Sequence, residues 1–213
     1  MLDLSLPSLI TGIITLVIAF TAHEFAHAWT ADQLGDDTPR LNGRLTLNPL
    51  AHLDPLGSLL LLLFGFGWAK PVPVNPYTLR RRTPAGMMLV SAAGPLSNLL
   101  LAIVAALPFR MGLIYSFAPS SRFIPSASAF LIGFIYTNLI LLFFNLIPIF
   151  PLDGEKVLEY FLPPSGQETL SRIRPYGQLI LLGLIFMGQF VGLDLLGVLV
   201  RAPAQTVLSL LVL

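Results

Sequence analysis

A long apolar run from about Leu9 to Ala31 sets the main limit on the fold of this chain. It contains no charged residue before Glu24, and it supplies the roughly 20 apolar residues that a helix needs to cross a bilayer. The whole chain is 55% hydrophobic and only 11% charged, whereas a soluble domain carries about twice that charged fraction. We therefore predict an all-α polytopic membrane protein. The net charge of +1, with basic residues in short loops beside apolar spans, argues against a nucleic-acid partner.

The sequence His23-Glu24-Phe25-Ala26-His27 lies in the last third of this run. Residues four apart share one face of a helix, so His23 and His27 can bind the same metal ion. Two histidines at this spacing with a glutamate after the first form the H-E-x-x-H motif, which binds zinc and uses the glutamate as an acid/base. Ionisable groups at membrane depth are costly and usually functional. We therefore predict one catalytic Zn²⁺ ion here, with two histidines bonded to polar neighbours as the alternative.

A catalytic zinc site needs a third protein ligand, and the absence of cysteine restricts that ligand to nitrogen or oxygen. Asp153 is the candidate, because besides Glu24 it is the only carboxylate joined directly to a strongly apolar span. Pro148 and Pro151 precede it and cannot continue a regular helix, so the backbone opens there. Two alternatives remain: Asp153 could cap the helix that follows, or His52 in a surface loop could be the third ligand.

Two further spans are predicted, at about 86–107 and 126–147, with an apolar segment at 176–189. Residues 40–47 alternate around an Asn-Gly pair, which predicts a small membrane-associated β-hairpin that could take up substrate as an extra strand. The apolar stretch 56–68 is too short to cross the bilayer and is interpreted as a re-entrant segment.

Polar residues within the spans are candidates for contact with an unwound substrate. Asn145 and Asn98 could each bind freed backbone groups of such a substrate. For Asn98, a hydrogen bond between helices is the alternative. Asp194 and Arg201 could form an ion pair and are given no catalytic role. Arg80, Arg81 and Arg82 are expected to contact lipid phosphates.

The distribution of basic residues predicts the orientation of the chain. With 56–68 re-entrant, the loops at 32–85 and 154–175 lie on one side and hold nine of the twelve Lys and Arg residues. The positive-inside rule then places these loops in the cytoplasm and the N-terminus outside. The zinc pair is thus nearer the cytoplasmic face. We predict a single integral membrane domain over 1–213, with a catalytic core at about 9–160 and C-terminal helices at about 170–213.

The two motifs together resemble the site-2 protease family of intramembrane zinc metalloproteases. The resemblance rests on residues 23–27, on Asn145-x-x-Pro148-x-x-Pro151-Leu152-Asp153-Gly154, and on Ala93-Gly94-Pro95-x-x-Asn98 between them. It implies a three-helix catalytic core, zinc on His23, His27 and Asp153, Glu24 as the catalytic acid/base, and Asn145 near the substrate. It also implies regulated intramembrane proteolysis, with transmembrane segments of other proteins as substrates in the lipid bilayer of a bacterial or archaeal cell. We expect a compact member of this family, with loops too short for a PDZ domain and without a nucleotide-sensing domain after the core.

Two other functions are compatible with the motifs. A membrane zinc transporter can carry the same histidine pair, but it would need ligands spread through the depth of the bilayer, whereas this chain concentrates them at one level. An inactive zinc-binding scaffold would have no need of the base Glu24. A homo-oligomer and an activating partner are left open.

Overall fold

The described part of the chain is helical. The computed structural model describes residues 5–57, 67–114, 121–190 and 194–213. Its helices are, in chain order, α1 (Leu6–Gln33), α2 (Thr38–Leu41), α3 (Pro76–Arg82), α4 (Gly86–Arg110), α5 (Ala127–Asn145), α6 (Asp153–Phe161), α7 (Pro164–Ile173), α8 (Gly177–Phe190) and α9 (Ala202–Val212). Within those residues the only β pairing is an isolated bridge between Leu53 and Ala69.

Three of the described helices are long and apolar enough to cross a membrane. They are α1, α4 and α5, of 28, 25 and 19 residues, and the spans expected from the sequence are confirmed. Helices α1 and α4 carry large apolar side chains that remain exposed, including Ile13, Leu100 and Val104, as expected of helices that face lipid. The chain is therefore an integral membrane protein.

Helix α4 lies at the centre of the bundle, packed against α1 on one side and α5 on the other. Its buried face consists mainly of small residues: Gly86, Ser91, Gly94, Ala102 and Ala106. Small side chains let the backbones of membrane helices approach closely, where dispersion contacts and hydrogen bonds hold them together. The close approach of α1 and α4 builds the site described below.

The C-terminal helix α9 closes the bundle beside α4 and α5. Ala204 of α9 is fully buried against Ala102 and Ala106 of α4 and against Ile135 and Leu139 of α5. At one end of this contact, the Arg110 guanidinium donates to the carbonyls of Leu210 and Leu211, so a basic side chain satisfies carbonyls at the C-terminal end of α9.

The expected β-hairpin at 40–47 does not form, and this prediction is wrong. Thr38–Leu41 is instead the short helix α2, and Gly43, with φ 67°, follows its C-cap residue Asn42. The Asn-Gly pair therefore ends a helix, because a left-handed glycine suits a helix C-terminus as well as a hairpin turn. Pro39 favours the helix, since it fixes a helical φ and lacks the N–H group that a strand ladder requires. The strand-addition role that depended on the hairpin is dropped.

Arg44 organises the loop instead. It is only 5% exposed, and its guanidinium donates to the carbonyl oxygens of Ala51, Lys70 and Pro71 at 2.5, 3.2 and 3.0 Å. These bonds join the two flanks of residues 58–66, which lie outside the described part of the chain. The re-entrant segment expected at 56–68 falls mostly on those residues.

Arg44→Ala should destabilise this loop, because it removes a buried guanidinium that donates to three part-buried carbonyls. Leaving them without partners costs at least about 2 kcal/mol. Thermal unfolding in detergent and limited proteolysis between residues 44 and 75 measure the effect. Arg40→Ala is the matched control, since Arg40 pairs with Asp32 at the surface and should change little. Equal effects of the two substitutions would contradict the assignment.

Candidate metal centre

Helix α1 brings His23 and His27 together on its buried face. The two imidazole rings are 4.6 Å apart between centroids and nearly perpendicular, at 85°. Both residues are buried, with exposed fractions of 6% and 8%, respectively. The helix continues through both histidines without a break, so one turn sets their spacing, as the i, i+4 relation predicted.

Asp153 lies against this pair, although it is 130 residues after His23 in the sequence. Its Oδ2 atom lies 3.1 Å from His23 Nε2 and 3.3 Å from His27 Nε2. Leu152, not Asp153, is the N-cap of α6, so the capping alternative does not describe its position. The backbone before it is non-helical from Leu146 to Leu152, as Pro148 and Pro151 predicted.

Gly154 allows this approach of α6. A Cβ atom at Gly154 would overlap the carbonyl oxygens of Leu146 and Ile147. The first turn of α6 therefore rests directly on the opened backbone that follows α5. This contact sets where the Asp153 carboxylate can point.

The donor chemistry of the three residues fits a cation. The Nδ1 atom of His27 lies 2.7 Å from the carbonyl oxygen of Val90, and a carbonyl only accepts, so Nδ1 carries the proton of the neutral ring. Its Nε2 lone pair then faces the carboxylate of Asp153, which is also an acceptor. A cation between these two acceptors, either a second ring proton or a metal ion, therefore accounts for their close approach. Ligand atoms of His23, His27 and Asp153 all lie within 4.8 Å of one another, as a single metal ion requires.

The space for such an ion comes from Gly94 on α4. A Cβ atom built at Gly94 would overlap Nε2 of both His23 and His27. Any larger residue would therefore fill the place where the two ring nitrogens converge. In the sequence, Gly94 is one of several small residues in the span at 86–107. The specific need at Gly94 depends on how α1 and α4 face each other, which no local pattern encodes.

Glu24 lies between the two histidines in sequence and is 9% exposed. It is not among the three residues whose ligand atoms converge. On a helix it lies about 100° around the axis from His23 and about 60° from His27. It can thus be near a metal-bound substrate without being a ligand.

The two candidate asparagines lie in different surroundings. Asn98 is fully buried, its Oδ1 atom lies 2.7 Å from His23 Nδ1, and its Nδ2 atom donates to Asn138 at 3.0 Å. These contacts match the helix–helix alternative for Asn98. Asn145 is half-buried at the end of α5, and its Nδ2 atom donates to the carbonyl of Leu141 at 3.0 Å. Its contact with substrate stays a prediction.

The remaining candidates lie away from the three converging residues. His52 is fully buried in the loop after α2, where its Nε2 atom lies 2.8 Å from the carbonyl oxygen of Thr46. It helps to hold that loop and does not join the His–His–Asp group. Asp194 and Arg201 form an exposed ion pair at 2.7 Å, as expected.

Comparison with known proteins adds independent information. The family model described as Peptidase family M50 matches residues 111–188. The chain is 41% identical over 181 residues to "Putative zinc metalloprotease YwhC" of Bacillus subtilis, which covers 84% of this chain and 82% of that protein. It is 35% identical over 193 residues to Rip2 of Mycolicibacterium smegmatis, covering 84% and 70% of the two chains. With Rip2 of Mycobacterium tuberculosis the identity is 35% over 224 residues, covering 95% and 83%. No solved structure gives a significant match.

Proposed function

The chain belongs to peptidase family M50, the site-2 protease family, and on that basis we propose that it is a zinc-dependent endopeptidase that cleaves other membrane proteins in or near their transmembrane segments. The observation that carries the proposal is the convergence of His23, His27 and Asp153 within the bundle of spanning helices. The relatives whose names describe zinc metalloproteases support the choice of metal.

We assign the three converging residues to one zinc ion, with Glu24 as the acid/base. Held by His23, His27 and Asp153, a zinc ion would acidify a water molecule and polarise the scissile carbonyl. Glu24 accepts the proton of that water and later delivers it to the leaving amine. Its burial between the two histidines in the helix supports this role, because it places the carboxylate next to the three converging residues and away from bulk water.

The position of the site within the bundle supports a membrane-embedded substrate. His23 and His27 lie in the second half of α1, on a helix whose opposite face is apolar and exposed. A helical substrate hides its carbonyls in its own hydrogen bonds, so it must unwind before hydrolysis. We assign Asn145, half-buried at the end of α5, to bind the unwound backbone. The protein then acts in regulated intramembrane proteolysis, as a single domain over 1–213.

The orientation follows from the basic residues. The loops at 32–85 and 154–175 hold nine of the twelve Lys and Arg residues, which favours a cytoplasmic location for both. The metal ligands lie near the ends of α1 and α5 that lead into these loops. We therefore place the active site nearer the cytoplasmic face of a bacterial or archaeal cell membrane.

Peptide mass spectrometry of native membranes tests the proposed function. Membranes containing the wild-type protein should yield new peptide termini inside transmembrane segments of other proteins, and membranes containing Glu24→Gln should not. A metal flux into vesicles that survives Glu24→Gln, without such termini, would instead indicate a transporter.

A further inference from the structure

We propose that Asn98 and Asn138 are positioning residues that form a directional hydrogen-bond relay across three helices, which fixes His23 in the tautomer that presents Nε2 to the metal. The inference rests on the proposed metal site. It assigns to two asparagines inside the bundle a role that the proposed hydrolysis does not itself require.

The relay is continuous and buried. It begins at His23 Nδ1 on α1, which lies 2.7 Å from Asn98 Oδ1 on α4. Asn98 Nδ2 lies 3.0 Å from Asn138 Oδ1 on α5, and Asn138 Nδ2 lies 2.9 Å from the carbonyl oxygen of Phe134. Both asparagines are 0% exposed, so no water competes for these groups.

The direction of the relay follows from its last member. The carbonyl of Phe134 can only accept, so the amide nitrogen of Asn138 must face it. The Oδ1 atom of Asn138 then faces Asn98, and it accepts a hydrogen bond from the amide nitrogen of Asn98. The oxygen of Asn98 is left facing His23, where it requires a proton on Nδ1. Reversing either amide would place two acceptors or two donors against each other in a buried site.

The consequence is that the lone pair of His23 is held on Nε2, the atom that faces Asp153. His27 is held in the same tautomer by a single hydrogen bond, because its Nδ1 atom donates directly to the main-chain carbonyl of Val90. A backbone carbonyl can only accept a hydrogen bond, whereas an asparagine amide can be rotated to present either its oxygen or its nitrogen. The Asn98 amide therefore needs Asn138 and the Phe134 carbonyl to fix its orientation.

A merely structural role for Asn98 makes a different prediction from the relay. A buried leucine of similar size would suit a packing role, and a buried carboxylate would be costly. In the relay, the side chain at position 98 must provide an oxygen that accepts a hydrogen bond from His23 Nδ1. Partners that accept from metal-bound histidines typically change metal affinity by about 10- to 100-fold when removed.

The test measures zinc affinity of the full-length protein in detergent by competition with a chelator. Asn98→Leu should weaken zinc binding by about 10- to 100-fold, whereas Asn98→Asp, which keeps an acceptor for His23, should bind more tightly than Asn98→Leu. Asn138→Leu should weaken binding less than Asn98→Leu, because Asn98 retains its oxygen. The reverse order of Asn98→Leu and Asn98→Asp would overturn the relay.

A spectroscopic measurement keeps the test independent of folding and of activity. In the zinc-loaded protein with ¹⁵N-labelled histidine, both His23 and His27 should show a protonated Nδ1. Asn138→Leu and Asn98→Asp should shift the His23 Nδ1–H signal and leave that of His27 in place as an internal control. Coordination of zinc through His23 Nδ1, or a His23 signal unchanged in both variants, would contradict the relay. Wild-type protein that binds no zinc would instead defeat the proposed function.

Discussion

Glu24→Gln should reduce cleavage of a transmembrane substrate by about 10²- to 10⁴-fold while zinc stays bound. Glutamine has the size of glutamate but cannot accept the proton of the attacking water. The three residues whose ligand atoms converge do not include Glu24, so the substitution leaves the ligand set intact. The separation of zinc binding from cleavage is the signature of an acid/base that is not a ligand.

The measurement pairs cleavage rate with zinc content in the same reconstituted preparation. Glu168→Gln is a matched control, because Glu168 is an exposed carboxylate on α7 that pairs with Arg172. That control should cleave at the wild-type rate. Cleavage that persists in Glu24→Gln would reject the assignment of Glu24, and loss of zinc would make Glu24 a ligand.

Gly94→Ala should remove most of the bound zinc and lower cleavage by about 100-fold or more. The added methyl group would overlap Nε2 of both His23 and His27, so either the ion or the α1–α4 contact must give way. Displacements of about 1 Å in a catalytic site can cost about 100-fold in rate. Zinc content and cleavage should therefore fall together, unlike in Glu24→Gln.

The control for Gly94→Ala is the same substitution at an open position. Gly12 lies on α1, and a Cβ atom built there meets no atom within 4 Å. Gly12→Ala should retain zinc and activity, and alanine favours the helix over glycine. Wild-type zinc affinity in Gly94→Ala would show that the two histidines do not bind an ion between them at this place.

The spans and the motif residues could be predicted because their signals are local. The length of an apolar run sets a membrane helix, and the i, i+4 spacing sets the face shared by His23 and His27. Pro148 and Pro151 signalled the opened backbone before Asp153. These features depend on a few neighbouring residues, so the sequence alone is sufficient for them.

The loop after α1 could not be predicted, because its signal was ambiguous. Asn42-Gly43 suits a hairpin turn and a helix C-terminus equally, and the choice was made by Pro39 and by the distant carbonyls that Arg44 binds. The roles of Gly94 and Asn138 depend on how α1, α4 and α5 are rotated against each other. The sequence places asparagines within these helices, but the packing of the helices decides which residues the asparagines contact.

The coordination shell of the bound zinc ion shows directly whether His23, His27 and Asp153 hold it. X-ray absorption at the zinc edge of the purified protein should show one zinc ion with two imidazole nitrogens and oxygen ligands, and Asp153→Ala should lose zinc or alter the oxygen shell. The chain has three histidines, so counting imidazoles is decisive. A third imidazole from His52, or a shell that does not respond to Asp153→Ala, would contradict a site built from His23, His27 and Asp153.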